Sequence, residues 1–483
     1  MTEVKSLFKE KCYLNGQWRD ASDGRTFEVI NPATNERIAS VPYMGRIEAL
    51  EAVTAAHKAL GGWRKLSVNE RSHYLRKWFD LMMAYEEDLG KILTLEQGKP
   101  LAEARGEIRY GASYIEWYAE EAKRIYGDTM PASRADQRIL ITKEPIGVCT
   151  AITPWNFPNA MITRKIAPAI AAGCTIVVKP AGETPLSAFA IAELADRAGI
   201  PKGVINILTG DAVEIGKVLT EDERVRKFSF TGSTEVGRLL MKQCASTIKK
   251  TTMELGGNAP FIVFDDADLD EAIVGAIASK YRNSGQTCVC ANRFYVHVSI
   301  YDEFVERFKE AVARLKLGNG LTTGVELGPL IDEKAVVKVK KHIDDVLTKG
   351  GSLVLGGEVD EEQGPLFFKP TILRDVTQKM QVSRDETFGP LAPIFKFETE
   401  DEVIGYANDT EFGLASYLFT RDLGRVIRVS EALEYGMVAV NTGMLSNAAA
   451  PFGGIKQSGL GREGSKYGIE DYLEIKYTLL AGI

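Results

Sequence analysis

Ile146-Gly147-Val148-Cys149-Thr150-Ala151-Ile152, continued by Thr153-Pro154-Trp155-Asn156-Phe157-Pro158, reads as an apolar strand running into a polar, proline-bounded turn. A helix is expected after it, through Ala172, and the unit then recurs. Thr175 to Val178 is a second strand, closed by Lys179-Pro180, with a helix from about Thr184 to Ala198. Val204 to Leu208 is a third, followed by a helix near Ala212 to Leu219. Lys227 to Phe230 is a fourth, ending in Thr231-Gly232-Ser233 and leading into a helix through about Ser246. Short apolar strands alternating with helices of this length specify parallel βαβ units and a doubly wound sheet. Ligands of such sheets lie beyond the C-terminal ends of the strands.

Outside this region, residues 45 to 125 read as helical, with Trp78, Leu81, Met82 and Tyr85 at spacings of three and four. Arg138 to Glu144 reads as an isolated strand. A second alternating region runs from Ala259-Pro260-Phe261-Ile262-Val263-Phe264 to about Asn441 and predicts a second α/β domain. Tyr472 to Leu480 reads as a last strand, free to pair with the isolated early one or with another subunit.

The chain of 483 residues is long enough for two or three domains. Its 45% hydrophobic and 26% charged residues are those of a soluble globular protein. A net charge of −7 without a basic tract argues against nucleic acid. The N-terminus has no apolar core of a secretory signal, and the most apolar run, Ile166 to Val178, is too short to span a bilayer. Six cysteines without disulfide or zinc spacing fit a reducing, cytoplasmic setting. None of the four histidines stands beside the glycine-rich segments, so neither a Cys-His hydrolase nor a metal site is expected.

The chemistry centres on Gly285-Gln286-Thr287-Cys288-Val289-Cys290 and, thirty-four residues earlier, on Glu254 in Met253-Glu254-Leu255-Gly256-Gly257-Asn258. An ionised thiol is a strong nucleophile and a carboxylate can activate water, so the pair can make and then hydrolyse a thioester. Thr231-Gly232-Ser233-Thr234-Glu235-Val236-Gly237 follows a strand and opens a helix, a setting that suits a pyrophosphate. A full G-x-G-x-x-G occurs only at Gly459 to Gly464, where no apolar strand precedes it, so it is set aside. Lys179, at a strand end, can reach ribose hydroxyls or phosphate. Asn156 offers an amide donor for an oxyanion, although by itself it reads as a turn residue.

Together these segments resemble the NAD(P)-dependent aldehyde dehydrogenase superfamily. The resemblance runs from Asn31-Pro32-Ala33-Thr34 through Pro154 to Pro158, Phe230 to Ser233, Glu254 to Gly257, Gly285 to Cys288, Glu386-Thr387-Phe388-Gly389-Pro390 and Pro451-Phe452-Gly453-Gly454. It implies Cys288 as nucleophile, Glu254 as general base, and Asn156 with the Cys288 N–H as oxyanion hole. It implies cofactor contacts from Trp155, Lys179, Gly182, Gly232, Ser233, Leu255, Glu386 and Phe388. It also implies a cofactor domain of residues 1–121 and 145–254 and a catalytic domain of 255–457. A small β oligomerisation arm of 122–144 and 458–483 would support a homodimer or homotetramer. NADP or NAD is the implied cofactor, and no metal is required.

Within the superfamily, Met161-Ile162-Thr163-Arg164-Lys165, Arg282 to Cys290 and Ser465-Lys466-Tyr467-Gly468 look most like the succinate-semialdehyde dehydrogenases. Arg164, Arg282 and Ser446 match that group's carboxylate-binding residues, and arginine suits a carboxylate through paired hydrogen bonds. A lone arginine would read instead as a structural ion-pair residue. Glutarate semialdehyde, one methylene longer, is the nearest alternative substrate. A broader aldehyde dehydrogenase, a thiol esterase or acyltransferase, and a non-catalytic protein on this fold stand further off. Many NAD-preferring relatives carry a glutamate three positions after the lysine matching Lys179; here that position is Gly182, with Glu183 one later. NADP is therefore expected to be accepted and preferred. Cys290 matches relatives in which a reversible disulfide to the nucleophile blocks catalysis, a candidate redox switch.

Overall fold

The computed structural model describes residues 6–483; Met1 to Lys5 lie outside the described residues. Two large sheets and a small one carry the architecture. The first has eight strands, in the spatial order Gly459–Leu460, Lys250–Glu254, Val225–Thr231, Val148–Ile152, Thr175–Lys179, Ile205–Ile207, Cys12–Leu14 and Gln17–Arg19. Its five central strands are parallel, and the outer ones are antiparallel additions. Val148 to Ala151 and the whole of Thr175–Lys179 are buried, as strands covered on both faces must be.

From Val148–Ile152 the chain first builds outward to Thr175–Lys179 and Ile205–Ile207. It then crosses back to add Val225–Thr231 and Lys250–Glu254 on the opposite side. The strand order therefore reverses between Val148–Ile152 and Val225–Thr231. A crevice opens at such a point because the two following turns lead to helices on opposite faces. Those turns carry Trp155-Asn156 and Gly232-Ser233.

The second sheet has seven strands, ordered Ser352–Leu355, Thr371–Val376, Leu391–Phe397, Ala291–His297, Ala259–Val263, Ala415–Phe419 and Met437–Val440. All run parallel except Ser352–Leu355. At its centre lies Arg293, a wholly buried cation with no carboxylate partner among the described residues. Its guanidinium donates to the carbonyls of Asn258, Tyr406 and Ala407 and to the Tyr435 hydroxyl at 2.8–3.0 Å. Tyr406 and Ala407 belong to the last turn of the helix Glu400–Asn408, where unpaired carbonyls present partial negative charge.

The early and late strands pair with each other. Gln137–Pro145 runs antiparallel to Leu473–Ala481 from Leu473 opposite Pro145 to Ala481 opposite Gln137, and Asp128–Pro131 completes this three-stranded sheet. The residues between Ser458 and Tyr472 lie elsewhere: Gly459–Leu460 edges the first sheet, and the helix Ser465–Glu470 packs on the helices Leu101–Glu121 and Ala160–Ala172. The glycine motif at Gly459 to Gly464 therefore begins in an antiparallel pairing with Met253 and Glu254, not in a strand-to-helix turn of a βαβ unit. Among the described residues no helix is long and apolar enough to cross a membrane.

Candidate active site

Lys250–Glu254 leads through Leu255-Gly256-Gly257-Asn258 into Ala259–Val263, so Glu254 stands on the link between the two large sheets. The thiol segment lies against this link. A Cβ at Gly257 would come within 2.5 Å of the Cys288 carbonyl oxygen, an approach only glycine permits. Before the cysteine, Asn283 and Ser284 are both left-handed, with φ of 51° and 54°. Such backbone persists only where surroundings over-determine it, and the Ser284 hydroxyl is tied to the Gly328 carbonyl at 2.8 Å. Of the six cysteines, only Cys288 is partly exposed.

Beside Cys288 opens a cleft of about 340 Å³ at the switch point of the first sheet. Trp155 and Asn156 enter it from the first turn, and Gly232 and Ser233 from the fourth. Leu255 and Cys288 line it as well, and Glu386 and Phe388 come from the loop before the strand Leu391–Phe397. The Trp155 and Phe388 rings meet edge to face at 5.6 Å between centroids. Gly232 has no room for a side chain, since a Cβ would stand 2.4 Å from the Phe230 ring. Ser233 caps the helix Thr234–Cys244, and Thr231 Oγ1 in the cleft wall has no partner among the described residues. Asn156 donates through Nδ2 to the Gln286 carbonyl at 3.0 Å, close to the thiol in sequence, while its Oδ1 is unpartnered.

The charges around Cys288 and Glu254 interact. Burial pushes the Cys288 thiol up to about 12; Arg164 and Arg282 oppose that rise, and Glu254 and Glu386 add to it. Burial also raises Glu254 well above the ordinary carboxylate range, and the charge of Glu463 raises it further. Both Glu254 oxygens are buried without a hydrogen-bond partner among the described residues. Burial acts on Glu463 in the same direction, but Arg164 and Lys165 outweigh it and keep Glu463 ionised. Glu386 is pushed up to about 7 by burial, partly offset by the Gly257 N–H that its carboxylate accepts at 3.1 Å.

Glu463 and Lys165 were not singled out by the sequence. The signal for Lys165 was a pair of charges inside a helix whose thirteen residues are all buried, Ala160–Ala172. Glu463 lay within the glycine motif that its context had set aside.

The three residues expected to hold a carboxylate do not share one cavity. Arg164 is buried, with its guanidinium 4.4 Å from the Phe452 ring centroid and its Nη2 unpartnered beside Glu463. Arg282 lines a neighbouring recess with Glu103, Tyr281 and Met444; it lies 5.4 Å from the Phe157 ring centroid, and its Nε is unpartnered. Ser446 lines a more open groove with Tyr110 and Trp117. Lys179 is buried at its strand end, its ammonium pushed below the ordinary value by burial and donating to the Pro180 carbonyl at 3.3 Å. Gly182 has room for a side chain, the Phe27 ring being 3.6 Å from a Cβ built there, and Glu183 is exposed. The buried Cys290 thiol is engaged with the Lys280 carbonyl at 3.4 Å, so a bridge to Cys288 requires that contact to break and the backbone to move.

A doubly wound sheet whose switch point opens on a thiol, flanked by a buried carboxylate and a side-chain amide, fits a dinucleotide-dependent oxidoreductase with a cysteine at its site. Residues 18–478 match the Aldehyde dehydrogenase family, and the chain belongs to that family. It is 63% identical over 477 residues to a glutarate-semialdehyde dehydrogenase of Pseudomonas aeruginosa, covering 99% of each chain. It is 62% identical over 475 residues to the succinate-semialdehyde dehydrogenase [NADP(+)] of Escherichia coli K12, covering 98% of each. A crystal structure described as an E. coli NADP-dependent enzyme superposes with a TM-score of 0.98 at 61% identity, covering 99% of both chains.

Proposed function

We propose that this aldehyde dehydrogenase oxidises a short aldehyde with a carboxylate at its far end, succinate semialdehyde, to the dicarboxylate, using NADP in preference to NAD. The observation that carries the substrate class is the placing of two guanidinium groups near one thiol. Arg164 and Arg282 both act on the charge of Cys288, and each keeps a buried N–H without a partner. Unpaired donors of this kind are costly unless a ligand meets them, and a carboxylate meets them best.

In this reading the Cys288 thiol first gives up its proton to solvent water; its thiolate attacks the aldehyde carbon, and the carbonyl oxygen becomes an oxyanion facing Asn156 Nδ2 and the Cys288 N–H. Thr231, Gly232, Ser233, Trp155 and Phe388 suit a dinucleotide: a helix N-terminus for its phosphates and apolar faces for a flat ring. When bound, that cofactor supplies an acceptor for the hydride the thiohemiacetal carbon must lose to become a thioester. Glu254 then takes a proton from water, the resulting hydroxide attacks the thioester, and the acid leaves Cys288. Lys179 and Glu386 would hold the cofactor's ribose groups. The three-stranded sheet, with Ile475, Tyr477 and Leu479 exposed along Leu473–Ala481, serves homo-oligomerisation.

Glutarate semialdehyde is the second reading, favoured by the 63% identical Pseudomonas relative. One methylene is worth only about 10–200-fold in discrimination. A panel of C3 to C6 aldehydes, with and without a terminal carboxylate and with both cofactors, tests the proposal. The C4 semialdehyde should give the highest kcat/KM, and an absence of preference for carboxylated aldehydes refutes the arginine argument.

The same panel tests the cofactor. NADP preference follows from Gly182, where no carboxylate repels a 2′-phosphate, and is supported by the NADP(+) relative. Gly182→Glu fits the space beside Phe27 and is expected to lower kcat/KM for NADP by about tenfold or more relative to NAD. A strong preference for NAD in the unaltered protein overturns this part.

A further inference from the structure

Lys99 and Glu107 form an ion pair in which each side chain is only 1% exposed, at the foot of the helix Leu101–Glu121. No role above uses them. Lys99 Nζ donates to Glu107 Oε2 at 2.7 Å and to the Asn156 carbonyl at 2.7 Å, and lies 3.8 Å from the Phe157 ring centroid. Those contacts engage the ammonium group on three sides. The other Glu107 oxygen accepts the N–H groups of Asn159 at 2.8 Å and Ala160 at 3.2 Å. The pair thus grips the turn Asn156 to Asn159 at both ends.

The thiol segment holds the same turn from the other side. Asn283 Nδ2 donates to the Asn156 carbonyl at 3.0 Å. Asn283 is itself fixed by residues flanking Lys99, its N–H on Glu103 Oε2 at 2.8 Å and its Oδ1 on Gln97 Nε2 at 3.0 Å. The Asn156 carbonyl is therefore clamped between a buried lysine and the segment that carries Cys288. Stability alone does not call for such a pair, because well-packed apolar residues commonly replace a buried ion pair at little cost. What an apolar pair cannot supply is a donor on the Asn156 carbonyl.

We infer that Lys99, seated by Glu107, is a positioning residue for aldehyde oxidation: it fixes the Asn156 backbone so that the side-chain amide meets the oxyanion formed at Cys288. The inference rests on the oxyanion role proposed for Asn156. A displacement of about 1 Å in such a donor costs about 10²-fold in rate.

A double-mutant cycle tests it, read as the single-turnover rate of reduced-cofactor formation with NADP and succinate semialdehyde. Lys99→Met is expected to slow that rate by about 30- to 100-fold, with the NADP dissociation constant, from fluorescence titration, within about threefold of the parent. In an Asn156→Ala background the same substitution should change the rate by less than about threefold, because the group it positions is gone. An equal loss in both backgrounds, or a matching loss of NADP affinity, overturns the inference in favour of a general structural role. If Asn156→Ala keeps full turnover, the oxyanion reading falls and takes this one with it. If Asn156→Ala loses turnover and Lys99→Met does not, only the inference falls. Should Lys99→Met fail to fold, Lys99→Met/Glu107→Gln leaves no lone buried charge and retains the acceptor for Asn159 and Ala160, and the cycle is run with that variant.

Discussion

Cys288→Ala is expected to lower kcat/KM for aldehyde oxidation by about 10⁴-fold or more, the scale on which a covalent nucleophile is missed. No other thiol can replace it, because Cys12, Cys149, Cys174, Cys244 and Cys290 are all buried. A companion measurement follows from the charge around Cys288. Burial, aided by Glu254 and Glu386, pushes the thiol up to about 12, so the free protein holds it protonated at neutral pH. Alkylation by iodoacetamide should therefore be slow at pH 7 and keep rising with pH, without levelling near the ordinary thiol value of about 8.5. Peptide mapping should place the label on Cys288. Residual activity above about 1% in the alanine variant, or a label carried mainly by another cysteine, would remove Cys288 from the mechanism.

The parts of this site legible in the sequence are those whose chemistry is local. Asn156, Gly232 and Cys288 each sit in a turn bounded by proline or glycine, and the parallel strands before the first two are short apolar runs that only a covered sheet accommodates. The alternation placed a polar or glycine-bearing turn after each strand, but which two turns flank the switch point became visible only in the spatial strand order, which reverses between Val148–Ile152 and Val225–Thr231. Pairing of the early and late strands was open between one chain and two, and the full nine-residue register settles it within the chain.

Long-range partners were not legible. Lys165 and Glu463 are separated by 298 positions, and the Asn156 and Asn283 contact by 127, so no spacing rule connects them. The first became visible only when a wholly buried helix had to find counter-charge for Arg164 and Lys165. The glycine motif around Glu463 shows the same limit from the other side. Its context correctly failed the strand-turn-helix test, yet its antiparallel pairing beside Glu254 brings a second carboxylate, Glu463, close enough to raise Glu254. Arg164, Arg282 and Ser446 were grouped by resemblance, and the fold distributes them among a buried ion pair, a recess and a separate groove.

That carboxylate pair makes Glu254→Gln the most informative second variant. In the proposed mechanism acylation of Cys288 does not need Glu254 to activate water, whereas deacylation does. The variant should therefore release a burst of about one reduced cofactor per subunit and then turn over about 10²–10⁴-fold more slowly than the parent. The acylated cysteine should accumulate and be found by intact-mass measurement. In the parent, the deacylation rate should rise with pH through a value above the ordinary glutamate range. Burial and Glu463 raise Glu254, and only its deprotonated form can take a proton from water. As pH falls through that raised value the carboxylate gains a proton and hydrolysis is lost; the glutamine variant should lack this limb. Because Glu254 is also among the charges that push Cys288 up, its neutralisation should speed alkylation of the thiol at fixed pH. A variant with no burst, or one whose burst and steady state fall together, would move Glu254 from the hydrolytic step to the attack itself.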